Sequence, residues 1–186
     1  MKKILILLII VLIGIGSVSA VYVTFDSQEN SRVVNSCDWI EYDAVLTQYN
    51  PANSSQSITE TSKMKIEFKD IQEKNYVLNV TFFYSDGTRE SSLLSGEVGK
   101  DDFTGFIVPS DLNVHDIVTE GNNTFTIFGV ENQNICGQSR EIVFANITTM
   151  EGMVCYWDNK TGVLVKANRD TVSIYYDIEV TDTNIW

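Results

Sequence analysis

YVLNVTFFYSDGTRESSLL, residues 76–94, decides the fold class. Tyr76, Leu78, Val80, Phe82 and Tyr84 occupy alternate positions, with Asn79 and Thr81 between them. A two-residue period of this kind lays one face of a β-strand on a core and the other in water. Asp86-Gly87 follows at once, and that pair accepts the left-handed backbone of a two-residue hairpin turn, so residues 89–94 return beside 76–84. Upstream, Met64, Ile66 and Phe68 alternate with Lys65 and Glu67 in the same way.

The same reading, carried along the chain, places strands over residues 103–108, 123–130, 140–147, 154–158, 162–167 and 171–180. Pro109 closes the first of these, because it cannot donate to a ladder. Asp158 to Gly162 reads as a four- or five-residue turn with Asn and Gly supplying left-handed geometry. In the final strand Val172, Ile174, Tyr176, Ile178 and Val180 face one way, and Ser173, Tyr175, Asp177 and Glu179 the other. Residues 50–61, rich in Ser, Thr and Asn, read as a loop. No stretch carries a sustained helical period, so the expected fold is all-β: a curved antiparallel sheet, a half-barrel-like meander, with a β-sandwich as the alternative.

The N-terminus obeys different rules. Lys2 and Lys3 precede an unbroken apolar run over residues 4–15, followed by the small residues Ser17, Ser19 and Ala20. These are the three parts of an export signal. Residues 1–23 are therefore expected to be a signal peptide cut after Ala20, or an uncleaved transmembrane helix that holds the chain in the membrane through residues 4–23. Residues 24–36 form a linker and 37–186 a single domain. Either way the domain is delivered outside the cytoplasm, secreted or anchored to the outer face of the cell membrane.

The formal net charge is -12. A field of that sign repels phosphate backbones, so nucleic acid is not an expected partner. Cys37, Cys136 and Cys155 are the only cysteines. In an oxidising compartment Cys136 and Cys155, flanking one strand-rich segment, are the candidate disulfide. With no CxxC pair and His115 as the only histidine, no metal and no cofactor is expected. Five N-x-S/T triplets, at Asn53, Asn79, Asn122, Asn146 and Asn159, are candidate glycosylation sites in an exported chain.

Five strings stand in order along the domain: CDWIEY (residues 37–42), VPSDLNVHDIV (108–118), CGQSREIV (136–143), YWDNKTGVLV (156–165) and TDTNIW (181–186). Together they resemble a group of uncharacterised exported or membrane-anchored archaeal β-domain proteins. There the first string reads GDWxxY, the second carries GD after an LN pair, the third is GxxR before a strand and the fourth is YWDxxTGxLL. The chain departs from that pattern at Cys37 and His115, where glycine is usual. The resemblance implies a distant similarity to the half-barrel carriers of lipids and lipoproteins.

Trp39, Tyr42, Phe82, Tyr84, Tyr156 and Tyr176 are the candidate lining of an apolar-ligand site, since a concave sheet bearing such rings could hold a lipid tail; ordinary core packing is the plain alternative. Arg140, three residues past Gly137, is expected to be partly buried against an acidic partner, with Asp38 as the candidate. Trp157 and Asp158 are expected to pack and cap the last turn. His115 beside Asp116 has the composition of an acid–base pair but stands in a turn, with no nucleophile motif in the chain. Asp101-Asp102 and Asp158-Asn159 lack the spacing of a calcium loop. The resulting expectation is a non-enzymatic extracellular β-domain that binds an envelope component or an apolar ligand. The alternative is a secreted hydrolase using Asp38, Glu41 and Asp43.

Overall fold

The computed structural model describes residues 34–49, 58–72, 75–98, 100, 105–120 and 123–186. The apolar leader, the linker up to residue 33, Asn53, Asp101, Asp102 and Asn122 lie outside the described residues. Within them the chain forms strands β1 (Trp39–Gln48), β2 (Ile58–Gln72), β3 (Asn75–Tyr84), β4 (Arg89–Glu97), β5 (Ile117–Glu120), β6 (Asn123–Thr126), β7 (Gly129–Ile135), β8 (Gln138–Asn146), β9 (Met153–Asp158), β10 (Leu164–Asp170) and β11 (Ile174–Thr183). No described residue is helical.

Nine strands make one antiparallel sheet in the order β4-β3-β2-β1-β11-β10-β9-β8-β7, and β5 and β6 pair separately. Two meanders are thus joined by β1 against β11, the first strand beside the last. The sheet is open, with β4 and β7 at its edges. Flat, nine strands would span about 40 Å at the usual interstrand spacing. Yet Leu78 on β3, Met64 on β2, Tyr42 on β1, Ile178 on β11 and Val143 on β8 belong to one buried apolar cluster. A single sheet brings such distant strands into one core by curling. The expected curved all-β sheet is what forms. The sandwich is not, because among the described residues the second layer consists only of the β5–β6 hairpin and the segment of residues 105–112.

Those two pieces pack on the Trp157 end of the face. Phe125 stacks on Trp157 with ring centroids 5.4 Å apart, and the Trp157 indole N–H donates to the Gly105 carbonyl at 2.9 Å. Phe106 and Val108 then bond to the β9–β10 turn through Leu164 N–H (2.9 Å) and the Gly162 carbonyl (2.9 Å). Gly162 holds φ +72°, and a Cβ there would stand 2.0 Å from the Val108 carbonyl oxygen. Only glycine meets both demands.

Several sequence expectations need correction. Residues 103–108 do not form a strand: among the described residues of that stretch only the Ile107–Val163 bridge pairs. The expected strand 123–130 breaks into β6 and β7 around Ile127 and Phe128: Ile127 N–H still bonds Asp116 O in register with β5, and Phe128 N–H crosses to Phe144 O beside β8. The loop assigned to residues 50–61 ends earlier, since β2 begins at Ile58. The β3–β4 turn is longer than two residues. Gly87 alone is left-handed (φ 81°), Gly87 N–H returns to Tyr84 O at 3.0 Å, and the Asp86 carboxylate accepts from Thr88 N–H at 2.9 Å. That is a type I turn with a glycine bulge.

Candidate functional site

A row of inward side chains crosses the sheet. Paired residues Ser62, Ala44, Ile178, Ala167, Cys155 and Ala145 carry it from β2 to β8, and all are buried. Five of the six are small. The bulky neighbours in adjoining rows therefore lean across them. Tyr42, rooted on β1, reaches over β11 to donate its hydroxyl to the Leu164 carbonyl of β10 at 2.7 Å. Tyr176, rooted on β11, comes within electrostatic range of the Cys155 thiol on β9.

This interior is apolar enough to govern its polar groups. Burial pushes the Tyr42 phenol well above its ordinary value, and the nearby Tyr176 adds to the effect. Tyr176 is raised by burial first and then by Cys155 and Asp177; burial alone raises Cys155. In each case a low-dielectric surrounding disfavours the anion. Tyr42 satisfies its hydroxyl. The Tyr176 hydroxyl and Ser62 Oγ do not: both are buried and make no hydrogen bond. An orphan of this kind costs about 1–3 kcal/mol.

Of the six candidate lining aromatics, Tyr42 and Tyr176 are buried on the inner face, and Phe82 and Tyr84 pack against the same core while partly exposed. Trp39 and Tyr156 are corrections. Each lies one position out of phase with a buried neighbour, Ile40 and Trp157 respectively, so each points outward. Trp39 there receives Lys65 Nζ at 4.2 Å from its ring centroid. Tyr156 stacks on Phe144 at 5.4 Å. The inner aromatic of β9 is Trp157, and phase relative to Cys155 was the signal for it.

At the other end of the strands, Arg140 meets Asp158 rather than Asp38. Arg140 Nε and Nη2 donate to the two carboxylate oxygens at 2.7 and 2.8 Å, and the side chains are 13% and 1% exposed. Asp158 also accepts from Thr161 N–H (2.9 Å) and Oγ1–H (2.6 Å), which caps the turn. The Trp186 ring lies 4.9 Å from the guanidinium carbon. Asp38 is occupied otherwise, accepting from Asn35 N–H at 2.7 Å. Pairing explains the partner: Ile142 is opposite Asp158, which sets Arg140 beside the start of the β9–β10 turn.

Asn159 is not an acceptor site for glycan in the folded domain. It is buried, and its amide nitrogen donates to Leu112 O (3.1 Å) and Glu141 Oε1 (2.7 Å) while its oxygen accepts from Leu112 N–H (2.7 Å). Asn79 is half-buried and donates to Glu67 Oε2 at 2.8 Å; Asn146 is exposed. The Cys136–Cys155 bridge is also absent: all three cysteines are free, with Cys37 and Cys136 exposed and Cys155 buried. Cys136 sits in the β7–β8 turn beyond Gln138, whereas Cys155 is opposite Ala145. Strand rise alone separates them by about 25 Å, far past the reach of a disulfide.

His115 is exposed with φ 77°, and Cys37 has φ 76°. Both residues thus hold the left-handed backbone that glycine adopts most readily. Asp116 turns its carboxylate to Asn113 N–H at 2.7 Å and caps that turn. Glu41 and Asp43 share the outer face of β1, each with a lysine: Lys65 at 3.2 Å and Lys63 at 3.6 Å.

No family model matches the chain, and no curated protein does. Among solved structures it is similar to the crystal structure of a DUF1329 family protein from Desulfovibrio piger, at 12% identity and a TM-score of 0.26, over 81% of this chain and 86% of that one.

Proposed function

We propose that the domain is a non-enzymatic, exported or membrane-anchored module that binds an apolar ligand or an envelope component on the inner face of its curled sheet. The observation that carries this reading is that face itself. It is one apolar surface running across most of an open sheet, and two of its hydroxyls are left without partners. A structural domain gains nothing from orphan hydroxyls in its core, whereas an apolar site with a few polar groups is the usual form of a ligand site. Of the carboxylates offered for hydrolysis, Glu41 and Asp43 stand beside lysines on the opposite face and Asp38 is bonded to Asn35 N–H, which weighs against the hydrolase alternative.

The test is extraction of the full chain from its native membranes, followed by mass spectrometry of organic extracts. Lipid recovered in stoichiometric amount supports the reading. Protein recovered without lipid, and unmoved in thermal midpoint by any of a panel of single-chain lipids, refutes it. Partition of the untreated chain between membrane and medium tests the location.

A further inference from the structure

The two orphan hydroxyls belong to one end of the inner face. Tyr176 on β11 is paired with Leu46 on β1, and Ser62 on β2 is paired with Ala44. They therefore stand on the strands either side of β1, about 10 Å apart at the backbone. Around this end the inner side chains come out to solvent: Ile174 and Tyr84 pack on the core only in part, and Glu60 and Arg169 stand half-buried in the row of Leu46 and Tyr176. Behind the hydroxyls runs the row of small side chains from Ala44 to Ala145. A narrow apolar chain can lie along that row once the tyrosine rings lift, while bulky residues on both sides leave no equal track.

Resting on the ligand-binding reading, we propose that Tyr176 Oη is the polar anchor of the site, donating to an ester oxygen of a single acyl chain whose tail follows the small-residue row, with Ser62 Oγ too far along that row to reach the same ester. The backbone carbonyls of the surrounding strands are consumed by the ladders. A pure hydrocarbon would leave the Tyr176 hydroxyl unpaired, and an oxygen acceptor just inside the mouth would not. The acceptor must be uncharged, because the same apolar surroundings that hold the phenol neutral oppose a carboxylate at that depth.

The experiment compares methyl hexadecanoate with heptadecane, a chain of similar reach without the ester. Both are titrated into the full chain held in amphipol, and binding is followed through the thermal midpoint and Trp157 fluorescence. Wild type is expected to prefer the ester by about tenfold, the worth of one net hydrogen bond. Tyr176→Phe is expected to bind the two equally while remaining at least as stable without ligand, and Ser62→Ala to keep the wild-type preference. Equal binding by wild type, or a preference that survives Tyr176→Phe, overturns the anchor and leaves the apolar site standing. Binding of neither compound overturns the site and the anchor together.

Discussion

Replacing Arg140 by Leu removes one half of a buried charge pair and tests how the end of the sheet is held. Asp158 is 1% exposed and accepts four hydrogen bonds, two from Arg140 and two from Thr161. Loss of a partner from a buried pair costs about 3–5 kcal/mol. The Thr161 donors stay in place, so the lower end applies, and Arg140→Leu is expected to cost about 3 kcal/mol. Asp158→Asn removes the charge instead and strands Arg140, which is 13% exposed and can turn to water. About 2 kcal/mol is expected there. The double variant leaves no buried ion and should be no less stable than Arg140→Leu alone, a coupling of about 2 kcal/mol. Urea unfolding followed by the buried Trp157, with unchanged m-values, reads these differences; Arg140→Leu should also lower the thermal midpoint by about 6–12 °C. Additive single variants, or an Arg140→Leu cost below about 1 kcal/mol as for surface pairs, would refute the argument that Asp158 is desolvated and clamped.

Gly162→Ala combines a left-handed φ with a clash on the Val108 carbonyl oxygen, and is expected to lose about 3 kcal/mol or more in the same assay. Cys37→Gly and His115→Gly, at φ 76° and 77°, should each gain about 0.5–1 kcal/mol, because relief of left-handed strain exceeds the added chain entropy; a loss at both sites would refute the strain. Alkali should destabilise the domain. Cys155, Tyr42 and Tyr176 all have raised values in the fold, so their protons are kept there while the unfolded chain releases them above pH of about 9–10. Stability then falls by about 1.4 kcal/mol per pH unit for each such group, with Tyr176→Phe showing a shallower fall in thermal midpoint between pH 9 and 11. A thiol reagent should label Cys37 and Cys136 in the native chain and reach Cys155 only after denaturation; quantitative protection of Cys136 together with Cys155 would restore the bridge.

Alternation made most of the sheet legible. Residues 76–84 and 140–147 were placed nearly to their ends, since a half-buried strand writes its period directly into the sequence. What the period cannot carry is pairing between distant strands. The contact of β1 with β11, which turns two meanders into one sheet, depends on residues more than a hundred positions apart. The failed strand at 103–108 has apolar residues for another reason: Phe106 and Val108 are buried as a strap over the β9–β10 turn, and strap and strand look alike over so short a run. Trp39 and Tyr156 are rings that suit an apolar lining, but phase sends them outward, one position from the buried Ile40 and Trp157. Arg140 was read as partly buried, but its partner was not legible, because Asp38 and Asp158 differ only in which strand end the register delivers.

The two ends of the strands are built on opposed principles, and this bears on how the inner face could be entered. At the Arg140 end the closure is polar and long-range: the ion pair with Asp158, Asn159 bonded to Leu112 and Glu141, and Trp39 N–H held by Asn184 Oδ1 at 2.6 Å. Each of these contacts joins residues remote in sequence, and opening there would expose a buried carboxylate and its donors together. At the Tyr176 end the polar contacts stay at the rim, with Arg169 Nε on the Glu151 carbonyl at 2.9 Å and Tyr84 Oη on Glu90, while the Tyr176 and Ser62 hydroxyls hold nothing. Moving the Tyr176 ring breaks no hydrogen bond of its own and gives its orphan hydroxyl a chance to find a partner. Entry of a ligand of the proposed kind would therefore be cheapest at the Tyr176 end, where the core is least specified, with the Arg140–Asp158 clamp holding the far end in register.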